Sequence, residues 1–163
     1  MTIYQGHCLR VDLTRREIGR TSTPENGIGA RTWNSVTLLR ELESGTDPLG
    51  PDNALCFACS AFAGTTMPVG TKHGVAAKSP LTGMIGDSLS GSHFSETLKR
   101  AGWDGLVIKG QSAEWVTVFI DDDRVEFMDA TDLLGKGTLE TQRAIREHMK
   151  DENVRVSAIG PAG

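Results

Sequence analysis

The stretch Val69 to Phe94, VGTKHGVAAKSPLTGMIGDSLSGSHF, constrains this chain more than any other because it holds five glycines, Gly70, Gly74, Gly83, Gly86 and Gly91. Glycine at that density lets backbone approach a bound group closely, since no Cβ stands in the way. Lys72, His73 and Lys78 give the segment local positive charge, against the single carboxylate of Asp87. Exposed backbone N–H groups beside ammonium groups suit a polyanion such as a cofactor phosphate. The competing reading is a run of tight turns between short strands, with the lysines in water.

Bulk properties bound the rest. With 163 residues the chain amounts to one domain, long enough to bury roughly two-thirds of its unfolded surface. Its 21 acidic and 17 basic residues are mixed, which argues against nucleic acid or a membrane surface as partner. No apolar run reaches the roughly 20 residues needed to span a bilayer. The start MTIYQGHCLR lacks the apolar core of a signal peptide, so a cytoplasmic location is expected. Three cysteines do not form a secreted disulfide framework.

Along the chain, His7, Leu9, Val11 and Leu13 alternate with polar neighbours, the period of a half-buried strand. Ile18 to Thr21 is expected to pair back on it, and Thr23-Pro24-Glu25-Asn26-Gly27 is punctuation. Arg31 to Leu42 places Trp33, Val36, Leu39 and Leu42 at helical spacing. Asn53 to Ala63 and Gly74 to Lys78 read as strands, and Ser90 or Ser92 as the cap of a helix with Phe94, Leu98 and Ala101 inward. Leu106 to Ile108 reads as a buried strand. Trp115 to Ile120 and Arg124 to Met128 form a hairpin around Asp121-Asp122-Asp123. Thr138 is expected to cap a helix with Leu139, Ile145 and Met149 inward, and Val154 to Ile159 to be the last strand. Seven or so strands and three helices, with little βαβ alternation, make an α+β fold with mainly antiparallel sheets.

Few residues promise chemistry on their own. Cys56 and Cys59 make a C-x-x-C inside an apolar, strand-like run, whereas a redox dithiol normally opens a helix. The pair therefore reads as buried structural thiols, with a thiol oxidoreductase as the competing reading. Cys8 adds too little for a closed metal site. His7, His73, His93 and His148 are scattered, and His73 reads as solvent-facing or hydrogen-bonded. Asp121 to Asp123 read as a solvated turn, since a calcium loop needs ligands at alternating positions. No residue is singled out as catalytic or as a metal ligand.

The wording of the glycine-rich stretch is more specific. K-S-P-L-T-G followed by I-G-D-S-x-S-G resembles the N-terminal domain of the tungsten-containing aldehyde:ferredoxin oxidoreductase family. DPLGPDNALCFACSAFAGT (Asp47 to Thr65) is similar to that family's D-P-L-G-P-E-N-x-L-x-F-A-T-G-P-L-T-G-T, and AGWDGLVIKG to its A-G-Y-D-x-I-V-I-x-G. The hairpin Ile120 to Ala130, the GKGTLET helix start and the terminal RVSAIGPAG have counterparts in the same order.

The resemblance implies that residues 1–163 are the family's N-terminal, cofactor-base domain, cut short at its C-terminal end. It implies an α+β base on which a tungstopterin, or a molybdopterin, lies. The family reaction takes aldehydes to carboxylic acids and passes electrons through a 4Fe-4S cluster, ligated outside this chain, to ferredoxin. Lys72 matches an arginine that reaches between pterin and cluster. The turn Gly86 to Gly91 matches one that holds the pterin phosphates, so the implied cofactor-binding residues are Lys72, Ser88, Leu89, Ser90 and Gly91. Two of them depart from the pattern: Lys72 keeps the charge without the planar fork of arginine, and Leu89 stands where the family has Asn. Implied partners are C-terminal catalytic domains or a catalytic subunit, and ferredoxin, with a homodimer also open. The alternative function is a non-catalytic split or degenerate domain serving assembly or protein–protein contact.

Overall fold

The computed structural model describes residues 4–23, 29–91 and 93–162. Its frame is a six-stranded sheet built from β1 (His7–Asp12), β2 (Glu17–Ser22), β3 (Ala54–Cys59), β4 (Lys72–Lys78), β5 (Ile85–Gly91) and β6 (Gly105–Lys109). The strand order is β2-β1-β6-β3-β4-β5. Every neighbouring pair is antiparallel except β1 with β6. β7 (Val116–Asp121) and β8 (Arg124–Asp129) form a separate antiparallel hairpin. The helices are α1 (Ala30–Glu41), α2 (His93–Arg100) and α3 (Thr138–Met149). The fold is α+β and mainly antiparallel, as the sequence implies.

Side-chain size decides how each face of the sheet is covered. On one face Cys8, Cys56, Ala58, Ala76 and Val107 make a low floor, and Trp33 and Leu38 of α1 pack directly on it. Two glycines make the approach possible: a Cβ on Gly105 would lie 2.6 Å from the Phe57 carbonyl and 2.9 Å from the Trp33 ring, and one on Gly74 would lie 3.2 Å from Asn34 Nδ2. On the other face Leu9, Val11, Cys59 and Leu106 cluster with Leu98 of α2 and with Trp103, and Val118, Ile120, Val125 and Phe127 of the hairpin lie over them. Trp103 Nε1 donates to the Asp122 carbonyl at 3.0 Å, and the Arg20 guanidinium lies 4.8 Å over the Trp103 ring. Each fully buried Leu or Val in these layers is worth about 1.5–3 kcal/mol.

Several local expectations are corrected. α1 turns Asn34 and Thr37 inward with Trp33 and Leu38, and leaves Leu39 exposed; the Asn34 amide has no hydrogen-bond partner among the described residues, a cost that the burial of Trp33 and Leu38 beside it offsets. α3 starts from Gly137, whose N–H donates to the Glu140 side chain at 2.9 Å, so Thr138 is not its cap. Thr141 is its buried residue and Leu139 is exposed. Residues Val154 to Ile159 form no strand; among the described residues no strand pairs with them, and extended chain needs a neighbour to become sheet. Pro24 to Gly27, and the Ser92 cap, lie outside the described residues, while Ser90 belongs to β5. The hairpin turn is Asp122-Asp123, with Asp122 at φ 52°, and Asp123 pairs with Arg20, as a solvated turn should. No helix among the described residues is long and apolar enough to cross a membrane.

Candidate functional site

The segment read from sequence as a Gly86–Gly91 turn is strand β5, at the free edge of the sheet. Its register on β4 brings the implied cofactor residues together: Lys72 faces Gly91, His73 faces Ser90, Gly74 faces Leu89, and Val75 faces Ser88. Facing residues share a side of the sheet, and successive residues alternate. Gly74 lies under α1, so Lys72, Leu89 and Gly91 occupy the α1 side. Ser88 and Ser90 occupy the α2 side with His73. The five residues thus share one edge, divided between its two faces.

Of Lys72, His73 and Lys78, only Lys72 is left for a ligand. The Lys78 ammonium is occupied by the Thr46 carbonyl at 2.5 Å. His73 is 4 % exposed, stacked near Phe57 with centroids 6.4 Å apart and tilted against Phe94 at 5.4 Å. That corrects the expectation of a solvent-facing ring, and its Nδ1 is buried with no partner among the described residues. Burial pushes the His73 pKa down from 6.5. Lys72 is exposed and forms no ion pair among the described residues. The carboxylate of the stretch, Asp87, is paired with Arg31 at the start of α1, so it does not oppose an anion near Lys72.

The backbone around Lys72 is tightly held. Its carbonyl accepts from Ser60 N–H at 2.7 Å, and its own N–H donates to Gly70 O at 2.9 Å. Gly70 is required there, since a Cβ would come 2.8 Å from the Phe62 carbonyl. Val69 has φ 63°, a left-handed conformation that costs a β-branched residue about 1–3 kcal/mol and is met mainly at ligand sites and clamps. Phe62, Met67 and Val69 on this loop are exposed. On the other side, a cavity of about 1070 Å³ lies between the sheet, the hairpin and α3, lined by Phe57, Phe94, Val118 and Ile145 among others, and contains none of the five residues.

Cys56 and Cys59 are separated by the same alternation. Cys56 joins the α1 cluster and Cys59 the α2 cluster. All three cysteines are free and buried, and burial pushes each thiol up to about 12. Neither a dithiol pair nor a reactive thiolate is available. Among the described residues no three His, Cys, Asp or Glu side chains gather as a metal site.

Residues 8–163 match the family model described as aldehyde ferredoxin oxidoreductase, N-terminal domain. The chain belongs to this family. It is 38% identical over 164 residues to the tungsten-containing aldehyde ferredoxin oxidoreductase of Pyrococcus abyssi, covering 98% of this chain and 27% of that protein. The enzyme of the same name from Thermococcus kodakarensis is 39% identical over 162 residues, with 97% and 27% covered. Among solved structures, the active site complex BamBC of benzoyl coenzyme A reductase with 1,5 dienoyl-CoA superposes with a TM-score of 0.94 at 32% identity, covering 98% of this chain and 25% of that one. The chain therefore spans about a quarter of the length of the relatives it matches.

As a domain of the aldehyde ferredoxin oxidoreductase family, the chain can be tested for fit to a pterin cofactor by its donor set. Lys72 supplies an unpaired ammonium, and Ser88 and Ser90 supply exposed hydroxyls. Alternate N–H groups of an edge strand point away from the sheet. A Cβ on Gly91 would meet nothing within 4 Å, so the strand is open to approach there. These groups fit the anionic, phosphate end of such a cofactor. Leu89, half exposed, adds no donor. Sequence reasoning missed Lys99 and Asp104, both buried, and Arg31. For Asp104 the available signal was a carboxylate flanked by Trp103 and the buried strand Leu106 to Ile108, where a charge needs partners.

Proposed function

We propose that this chain is the cofactor-seating part of an oxidoreductase of the aldehyde ferredoxin oxidoreductase family, competent only together with catalytic domains or a catalytic subunit. The observation that carries the proposal is the direct facing of Lys72 and Gly91 at an open sheet edge, which gathers an ammonium on one face, two hydroxyls on the other and edge-strand backbone N–H groups between them. Lys72 neutralises a phosphate as a point charge. Ser88 and Ser90 donate to phosphate oxygens from the α2 side of the edge, and the backbone near Gly91 comes within hydrogen-bonding range because no side chain intervenes. Asp87 is kept from repelling the anion by Arg31. A tungstopterin or molybdopterin held by Lys72, Ser88, Ser90 and the backbone near Gly91 would supply the two-electron chemistry of aldehyde oxidation, with a 4Fe-4S cluster ligated outside this chain and ferredoxin as the acceptors it would need. The protein's share is binding, orientation and electrostatics.

The test is assembly of this chain with its catalytic partner, followed by elemental and pterin analysis of the purified complex. Tungsten or molybdenum, iron and pterin are expected, with pterin occupancy reduced in Lys72→Ala. A complex lacking all of them overturns the proposal. A second reading, an assembly module indifferent to pterin, is favoured by the unpaired β5 edge and by the exposed Leu81, Met84 and Leu89 beside it. It predicts self-association in native mass measurement, and a monomer that retains the cofactor excludes it.

A further inference from the structure

We propose that Lys99, a buried lysine on α2, is the positioning residue that fixes Lys72 in place. The inference rests on the reading of Lys72 as the cation of the cofactor seat. Lys99 is 4 % exposed, an expensive location for an ammonium. Its Nζ donates to the carbonyls of Ser60 and Ala61 at 3.0 and 2.9 Å. It lies 3.8 Å from Asp104 Oδ1 and 4.9 Å from the centre of the Tyr4 ring. Burial pushes its pKa down while Asp104 acts the other way. For stability alone a well-packed apolar residue would serve as well as such a pair. What an apolar residue cannot do is hold two successive carbonyls at the point where β3 gives way to the loop before β4.

The first of those carbonyls belongs to the residue that holds Lys72. Ser60 accepts from Lys99 and donates its own N–H to the Lys72 carbonyl at 2.7 Å. Two hydrogen bonds therefore lead from the buried ammonium to the backbone of the exposed one. Lys99 is in turn held by Asp104, whose carboxylate accepts from Gln5 N–H at 2.9 Å, Gly6 N–H at 2.7 Å and Thr23 Oγ1 at 3.0 Å. The network joins the N-terminal segment, α2 and the residue before β6 to the start of β4. The first residues of the loop that carries Val69 at φ 63° are thereby clamped from inside the protein.

The experiment uses the full chain, with inorganic pyrophosphate as the anionic probe in calorimetric titration, and amide hydrogen exchange at Ser60 as a second readout. Pyrophosphate is expected to bind, and Lys72→Ala to abolish binding. Lys99→Met is expected to weaken binding roughly tenfold, the scale of losing hydrogen bonds from a charged donor, and to speed exchange at Ser60. Lys99→Arg, which keeps a cationic donor, recovers part of both. Leu98→Ala, buried in the adjoining cluster, lowers stability but leaves affinity within about twofold, because it touches neither carbonyl. Parent-like affinity and Ser60 exchange in Lys99→Met overturn the inference, as does equal weakening by Leu98→Ala. If Lys99→Met does not fold, Lys99→Gln, which retains a neutral donor, carries the same two readouts. If the parent chain does not bind pyrophosphate while Ser60 exchange responds to Lys99 as expected, the cofactor-seat reading fails and the positioning of Lys72 stands.

Discussion

Replacing Asp104 by Ala isolates the polar network that crosses the protein behind the candidate site. The carboxylate is 3 % exposed and faces a Lys99 side chain that is 5 % exposed. It also accepts from Gln5 N–H, Gly6 N–H and Thr23 Oγ1. Residues 5 and 6 are themselves exposed, so their amides find water once the carboxylate is gone and contribute little. The dominant loss is the uncompensated buried ammonium, which costs about 3–5 kcal/mol. For a chain of this size each kcal/mol lowers Tm by about 2–4 °C, so a fall of roughly 6–20 °C is expected. Thermal and urea unfolding followed by circular dichroism measure it. In Asp104→Ala/Lys99→Met the orphaned charge is absent, so the double variant should lose less than the sum of the singles, with a coupling of about 1–3 kcal/mol. A single variant within about 1 kcal/mol of the parent, or strict additivity, refutes the claim that the two groups form one buried unit.

Other features give sharper single measurements. The His73 pKa is lowered in the folded state, so the unfolded chain takes up a proton near pH 6.5 before the folded one does, and the stability due to the neutral ring falls as pH drops from about 6.5 through the lower folded value. Urea unfolding between pH 7.5 and 5 should therefore show less acid sensitivity in His73→Phe, and an identical pH dependence contradicts the assignment. Gly105→Ala places a methyl 2.6 Å from the Phe57 carbonyl and 2.9 Å from the Trp33 ring, and should destabilise by about 1–3 kcal/mol or more; an unchanged Tm would show that α1 lies further from the sheet. With thiols raised to about 12 and buried, iodoacetamide at pH 8 should leave Cys8, Cys56 and Cys59 unmodified in the native chain and label all three in denaturant, whereas rapid native labelling of any one would reopen a thiol role.

Local patterning exposed much of the fold and little of the site's support. β1 was legible because Leu9 and Val11 alternate with residues of the other face, and the β7–β8 hairpin because two apolar runs flank a turn of aspartates. β5 was not, because its glycines and serines are poor strand formers and its side chains are nearly all exposed, so no alternation of polarity marks it. Pairing with β4 along seven residues overrides that composition. Lys99 reads as a solvated helix position until Asp104 and the Ser60 and Ala61 carbonyls, 5 to 39 residues away, are brought beside it. Asn34 and His73 were hidden for the same reason: only the tertiary contacts reveal that they are buried.

Making β5 a strand rather than a turn changes how the seat must work. A turn would gather Ser88, Leu89, Ser90 and Gly91 around one point. A pleated strand sends Ser88 and Ser90 to the α2 side and leaves Leu89 and Gly91 beside Lys72 on the α1 side. A single anion cannot reach the ammonium and both hydroxyls from either face. It can do so only by lying across the outer edge of β5, where backbone N–H groups are unpaired and where Gly91 leaves open space. On that path Leu89 is the neighbour that a group on the α1 side meets next to Lys72, so its apolar side chain presents a surface suited to a ring, while the serines, behind it, suit oxygens. Leu89 therefore lies on the face opposite the Ser88 and Ser90 hydroxyls, and its apolar side chain leaves those two donors untouched.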